Sequence, residues 1–510
     1  MATPAAIRLG SQADFLLRLR CQPQPELLEG AAAGFVGYQL DGEAADDGAF
    51  VRWSMQEGQF ALSTDRLGLY PLYYLQQGNE LVISNSVALI QQQCTLEPHT
   101  EAVAIFLRLG FYLGSDTAFK GLIRPEGKLE VRLDDNGLCL QVSRPERRQL
   151  APYSPQRYQQ LFAAALTRLT DCQQPLYIPL TGGKDSRHIL LTAAQQGLPV
   201  QQCYTTRVLS PHCNDDVSIA STLCQRLNIP HRVLLSEQRL VNAEQQKNIR
   251  TNYETYDHFW INQVGQYMQQ QAPGLILDGF GGDVLSQSKI VTAQMHECYQ
   301  NRDWARLYRL IAPSDPYYNA HFGARPELLL LPERLEARLQ AELLKFADDV
   351  IPIKSFYFWN RSRRAIAISS FRQLNGNSQP FFPYMQAGVF DFLLSLPPAE
   401  YFSQDFHARC IGLAFPDFAA MPYASRHSRG DALASKRKFY NLLALIGEIA
   451  QADFMAVPMR LRAMMSCLAA NTSKESAVTF FYFFRPMIYL NQLNRLRMLP
   501  RRRILPQTSA

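Results

Sequence analysis

Leu180-Thr181-Gly182-Gly183-Lys184-Asp185-Ser186 decides how this chain is read. It lies between an apolar run, Pro175-Leu-Tyr-Ile-Pro-Leu180, and a stretch of helical spacing over residues 186–196. A short apolar run of this kind suits a strand buried in a parallel sheet. Adjacent glycines let the backbone approach an anion closely, and the N–H groups opening a helix point at it. Thr181 and Ser186 add hydroxyls, and Asp185 adds a carboxylate able to hold magnesium on pyrophosphate. The glycines are adjacent, so this is not the GxxxxGK[ST] loop. A glycine turn that only starts a helix is the competing account. The place of the loop, at the end of a strand where open α/β sheets bind ligands, favours a phosphate site.

Working outward, apolar runs alternate with helical stretches. Strands are expected over 199–206, 231–235 and 274–278, with helices over 158–169 and 216–227. That alternation predicts a doubly wound parallel sheet. Beyond Ile290 the pattern is mostly helical. Residues 1–150 read instead as β-rich, with short strand-like runs beginning at Phe35, Phe50, Phe60, Leu72 and Leu81. A helix is expected over 99–114 and a hairpin turn at Asp134-Asp-Asn-Gly137. The polar stretch from Pro145 to Pro155 marks a boundary, giving domains 1–150 and 151–510.

The 510 residues favour at least two cores. Hydrophobic residues make up 47% and charged residues 19%, with a net charge of +6, which is ordinary globular composition. Basic residues form no concentrated stripe, and Arg501-Arg502-Arg503 reads as a solvated tail, so no nucleic-acid partner is expected. The ten cysteines include no CxxC pair, which speaks against zinc. With no basic region and apolar run at the N-terminus, they are expected as thiols of a cytoplasmic protein. The aromatic run Thr479-Phe-Phe-Tyr-Phe-Phe484 is broken by Arg485 and Pro486, so a buried helix is expected there rather than a membrane contact.

Several segments resemble the asparagine synthetase family, with likeness also to β-lactam synthetases and lasso-peptide cyclases. Residues 181–186 match the family's SGGxDS loop, with Thr181 for the first Ser. Leu275-Ile-Leu-Asp278-Gly279-Phe280-Gly281-Gly282-Asp283 resembles its second acidic loop, Glu254-Thr-Tyr-Asp257 its ETYD segment, and Gln379-Pro-Phe-Phe-Pro-Tyr384 its PFLD segment. In the first 150 residues, Asp65-Arg66-Leu67-Gly68 with Pro71-Leu-Tyr-Tyr74, and Gly121-Leu-Ile-Arg-Pro-Glu-Gly127, resemble the glutaminase domain. The resemblance implies an N-terminal Ntn-hydrolase-like αββα domain of the class II amidotransferase type. It further implies a doubly wound ATP-pyrophosphatase domain with a helical C-terminal part. The cofactors implied are ATP and Mg2+. Leu180, Thr181, Gly182, Gly183, Lys184, Asp185, Ser186, Thr206, Asp278 and Gly279 would bind nucleotide, with Thr206 near adenine. Asp185 and Asp283 would hold the metal. Lys436 or Lys438, in Lys436-Arg-Lys-Phe439, would stabilise charge at the α-phosphate.

Two departures modify what is implied. The family's glutaminase exposes Cys directly after Met, whereas Ala2 stands here and the first cysteine is Cys21. The glutaminase is therefore expected to be degenerate, with ammonia or an amine as the nucleophile. Phe280 stands where asparagine synthetases have Glu, so either another group serves as base, with Glu254, Tyr256 and His258 as candidates, or the amine enters already neutral, or catalysis is lost. His188 is expected as a satisfied helix histidine, and Arg187 as a partner of ATP or of a carboxylate. Arg361, Arg363 and Arg364 are expected on a solvated helix face, with an acidic substrate as the alternative. The reaction implied is AMP-forming amide ligation of a small-molecule or peptide carboxylate. Rivals are a macrolactam- or β-lactam-forming enzyme and a silent ATP-binding scaffold. No membrane partner is expected, and a homodimer is compatible with these features.

Overall fold

A computed structural model of the chain describes residues 7–40, 46–145, 153–209, 214–236, 239–287, 290–312, 332–424, 435–452, 457–470 and 476–498. The boundary expected at 150/151 and the basic tail at 501–503 lie outside them.

The first part holds ten strands: β1 (Ile7–Leu9), β2 (Leu16–Arg20), β3 (Glu26–Glu29), β4 (Ala33–Leu40), β5 (Gly48–Gln56), β6 (Gln59–Thr64), β7 (Tyr73–Gln77), β8 (Glu80–Ser84), β9 (Lys128–Asp134) and β10 (Gly137–Ser143). They form two antiparallel sheets, ordered β1-β4-β5-β6-β9-β10 and β3-β2-β8-β7. Side chains alternate across each sheet. In β6, Phe60 and Leu62 point inward while Gln59 and Ala61 face out. Leu17, Leu19, Leu81 and Ile83 of the smaller sheet share one core with Val36, Tyr38, Leu62 and Val131 of the larger. Helices α1 (Val87–Gln93) and α2 (Thr100–Leu109) cover the far side of the smaller sheet, where Val87, Ile90, Val103 and Phe106 pack on Tyr73, Leu75 and Val82. Of the four αββα layers expected, three are seen among the described residues. The outer positions of β5, β6 and β9 carry the exposed Arg52, Ala61 and Arg132. The helix expected over 99–114 is also shorter, because Gly110 takes φ +82° and ends α2.

The second part is built on β11 (Leu176–Pro179), β12 (Val200–Arg207), β13 (His231–Leu235), β14 (Leu275–Leu277) and β15 (Gln379–Phe381). All pairings are parallel, in the order β13-β12-β11-β14-β15. The first three strands step in one direction and β14 returns to the other side of β11. The loops leaving β11 and β14 therefore flank a topological switch point, where such sheets bind ligands. Helices α3 (Pro155–Thr167), α4 (Asp185–Gln195), α5 (Asp215–Leu227), α6 (Leu240–Arg250), α7 (Asn262–Met268) and α8 (Gly282–Ser286) intervene. From residue 290 onward, β15 is the only strand among the described residues; the other regular elements are helical. Two stretches, Phe358–Ile366 and Ser370–Leu374, are π-helical. In the C-terminal helix Ser476–Met498, Arg485, Met487, Ile488 and Tyr489 are buried; the side chains of the aromatic run 479–484 lie outside the described ones. No helix among the described residues is long and apolar enough to cross a membrane.

Two of the three arginines read as a solvated face, Arg363 and Arg364, join the two parts instead. Arg363 donates to the carbonyls of Leu67, Gly68 and Pro125. Arg364 pairs with Glu254 at 2.8 Å and reaches the carbonyls of Gly114 and Asp116. Arg124 pairs with the same Glu254 at 2.5 Å, and all three side chains are 1% exposed. Gly68 sits at φ +58° with its missing Cβ 2.1 Å from Gly127 O, so no other residue fits this junction unstrained. The sequence pattern misled because a charge run looks alike whether it faces water or a second domain.

Candidate nucleotide site

The loop after β11 is held at both ends. Leu180 N–H donates to Tyr204 O on β12 at 2.8 Å, and Thr205 Oγ1 donates to Leu180 O at 2.7 Å. The Leu180 side chain is fully buried, so it anchors the loop from the core and offers no surface to a nucleotide. Thr181 N–H donates to Ser186 Oγ at 3.0 Å, and Gly183 N–H donates to Thr181 Oγ1 at 3.2 Å. Gly182 N–H donates to Asp216 Oδ1 at 2.7 Å. Asp216, in the first turn of α5, was missed in the sequence because no motif marks it. Burial raises its carboxyl, with the Gly182 amide opposing. The loop amides are thus occupied by the protein's own oxygens, at positions where a phosphate would exchange with them.

Lys184 departs from the cradle expected of it. Its Nζ donates to Gln287 Oε1 at 2.8 Å and to Gln404 O at 3.1 Å. Arg187 is buried; it donates to Met421 O and Pro422 O and stacks its guanidinium 4.0 Å over Tyr423. It therefore braces the segment above the loop, where Ala424 N–H donates to Gly182 O, and is not placed to meet ATP or a carboxylate.

The two acidic loops touch. Gly279 comes so near that a Cβ there would stand 3.0 Å from Asp185 Cβ, and at Gly282 a Cβ would stand 2.6 Å from the Asp185 carboxylate. Glycine is what permits the approach. The Asp283 amide donates to the Asp185 carboxylate. Burial raises Asp185 to about 7, against the lowering pull of Lys184 and that amide. Burial and the charge of Asp185 raise Asp283 to about 6. Asp278 is raised by burial; its Oδ2 accepts from Ser370 at 2.5 Å and its Oδ1 from Phe280 N–H at 3.0 Å. Acids brought together, with Lys184 and Arg361 offsetting their charge only in part, suit a divalent ion. Among the described residues no three His, Cys, Asp or Glu side chains converge on a metal site. Two carboxylates with phosphate oxygens completing the shell fit magnesium rather than a caged ion.

Beneath Asp185 lies a buried histidine pair. His407 Nδ1 is 3.2 Å from Asp185 Oδ1 and 3.2 Å from Ser286 Oγ, while its Nε2 is 3.2 Å from His188 Nδ1. His188 stacks on Phe162 at 3.9 Å, satisfied as expected of it. Burial lowers His407 to about 3, and burial together with His407 holds His188 well below the usual histidine value.

The remaining expectations divide. Thr206 lies partly exposed near the end of β12, on the side of the sheet's ligand edge. Lys436 is exposed and Lys438 buried on the helix Ser435–Ala450, which docks on α6 through Leu240 N–H donating to Asn441 Oδ1 at 2.9 Å. The named partners of the phosphate loop come from α5, the segment after α8, and residues 404 and 421–424. Phe280 is buried, edge-on to Phe382 at 5.3 Å. Glu254 is committed to its two arginines, and Tyr256 lies under the Arg485 guanidinium at 4.5 Å. His258 takes φ +76° and sits 3.4 Å from Ser369 Oγ. Burial lowers it to about 4, opposed by Asp257 and aided by Arg361. Arg361 also lowers Asp283, so of the three arginines this is the one whose charge reaches the acidic loop. Its π-helical segment packs on α8.

No protein-family model and no curated protein matches the chain. Among solved structures it is similar to an NH3-dependent NAD synthetase from Campylobacter jejuni, described in complex with nitrate, with 13% identity, a TM-score of 0.20, and coverage of 38% of this chain and 96% of that one. It is also similar to a glutamine-dependent NAD+ synthetase from Acinetobacter baumannii in complex with ADP, with 13% identity, a TM-score of 0.21, and coverage of 68% of this chain and 85% of that one. TM-scores this low add nothing to the fold read from the strand order. That order and the paired loops define an α/β chain with a glycine-rich loop and two acids at a switch point, joined to an antiparallel β-sandwich.

Proposed function

We propose that the chain is an ATP-dependent ligase that adenylates a carboxylate and passes the acyl group to ammonia or an amine. The observation that carries this is the contact of the Asp185 and Asp283 loops, two like-charged acids pressed together by Gly279 and Gly282 at the sheet's ligand edge. Asp185 and Asp283 would hold magnesium, which when bound supplies the positive charge that offsets leaving pyrophosphate. The carboxylate oxygen attacks the α-phosphorus of ATP, the bond to pyrophosphate breaks, and the amine then displaces AMP. Thr181, Gly182, Gly183 and Ser186 would receive the phosphates once their internal hydrogen bonds yield. Arg361 would meet the substrate carboxylate, and His258, held neutral by burial, would take the amine's proton. Lys436 or Lys438 would approach the α-phosphate only by movement of its helix.

A silent nucleotide-binding scaffold is favoured by one specific feature: Phe280 is packed in the core where asparagine synthetases carry Glu. ATP–pyrophosphate exchange over a pool of carboxylates and short peptides separates the two. Exchange abolished by Asp185→Ala and by Asp283→Ala is expected for the ligase. Magnesium-dependent ATP binding with no exchange across the pool is the scaffold outcome.

A further inference from the structure

The geometry points to His407 as a positioning residue that aims the Asp185 carboxylate and ties it to the Asp283 loop through Ser286. The inference rests on the metal role proposed above for Asp185.

His407 is the second residue of the helix Phe406–Ala414 and is fully buried, 219 positions along the chain from His188. A buried imidazole needs partners at both nitrogens. With Asp185 ionised, the surrounding groups fit one set of protons. Ser286 Oγ–H donates to Gly282 O at 2.5 Å, so its oxygen accepts from His407. Asp185 Oδ1 is an acceptor as well, which places the ring proton on Nδ1. Nε2 is then an acceptor. Tyr384 Oη lies 3.3 Å from Nε2, but its O–H is directed to Asp185 O at 3.1 Å, which makes His188 Nδ1–H the donor to Nε2. Stacking on Phe162 fixes the His188 ring, so the relay from His188 through His407 to Asp185 has a rigid base.

A neutral donor suits this place for a physical reason. Arginine or lysine would orient the carboxylate equally well, but would neutralise the charge a cation requires. A neutral imidazole fixes one oxygen and leaves the charge. Because Nδ1 lies 3.2 Å from Asp185 Oδ1 and is hydrogen-bonded to Ser286 Oγ, and Ser286 closes on Gly282, a single ring touches both acidic loops. Partners of this kind commonly alter metal affinity about 10- to 100-fold when removed.

The test measures Mn2+ binding to the full chain in the presence of ATP, read from the EPR signal of free Mn2+. Variants are His407→Asn, which keeps an N–H at the Nδ1 position, and His407→Gln, which moves it to the Nε2 position. Thermal melts confirm that both are folded. His407→Asn is expected to bind within about threefold of wild type and His407→Gln about tenfold or more weakly. Equal affinities for Asn, Gln and wild type would overturn the positioning role. Asp185→Asn is measured alongside. If it binds Mn2+ like wild type, or if wild type binds none, the metal role itself is wrong and the inference falls with it.

Discussion

Asp65 directly follows β6 and Asp185 opens α4 at the end of the loop leaving β11, and burial raises both. Their surroundings differ. Asp65, in the sandwich, accepts hydrogen bonds from the backbone N–H groups of Phe50, Leu67, Leu69 and Tyr70. Asp185 receives one amide and one imidazole, and faces Asp283. The first carboxylate is used up in holding a turn. The second is kept beside a like charge that the fold does little to offset. The same contrast separates the arginines: Arg363 and Arg364 are spent on the junction, and the charge of Arg361 reaches the acidic loop. A polar group satisfied by the protein reports on folding, and a set of like charges held together reports on a ligand.

The contrast can be broken by substitution. Glu254→Ala strands Arg124 and Arg364 in the buried junction, and urea unfolding is expected to show a loss of about 3–5 kcal/mol. Asp65→Ala leaves four amides without an acceptor and is expected to cost about 2–3 kcal/mol by the same measurement. Asp185→Asn, by contrast, relieves repulsion with Asp283. It is expected to leave unfolding free energy unchanged or raise it by about 0.5–2 kcal/mol at pH 7 without metal, while ATP-dependent metal binding is lost. A destabilisation as large as that of Asp65→Ala would place Asp185 with the structural acids. Lys436→Ala is expected to change stability by less than about 0.5 kcal/mol, since the side chain is exposed.

The pH dependence sharpens the same comparison. Asp185 and Asp283 hold protons more tightly folded, at about 7 and about 6, than the ordinary value of 3.8. Their stabilising contribution is complete below pH 3.8 and is lost as pH rises through 6 and 7. Without metal, the wild type is expected to lose stability over that window more steeply than Asp185→Asn/Asp283→Asn. Saturating Mg2+ with ATP is expected to reverse the sign, because the cation binds the ionised pair. Thermal melts across the window read both.

Much of this was legible in the sequence where residues near one another carry the signal. The strands of the parallel sheet show as apolar runs ended by turns, and Asp185, Asp278, Gly279 and Asp283 lie in two compact motifs. The strands before Phe35 were not read, because Leu16-Leu-Arg-Leu-Arg20 and Glu26-Leu-Leu-Glu29 mix charge with short length. The residues that fix the site from a distance were also missed. Asp216, Ser370 and His407 reach the loops only because helices deliver them, and no local spacing announces it. Lys184 was legible in place but not in role, because a long side chain goes where Gln287 and Gln404 draw it.

The most direct test of the paired acids is calorimetric titration of ATP into the full chain, with and without Mg2+, for wild type and Asp283→Ala. ATP binding that requires Mg2+ and disappears in Asp283→Ala is the predicted result. ATP binding of equal strength with and without Mg2+, unchanged by Asp283→Ala, would contradict it.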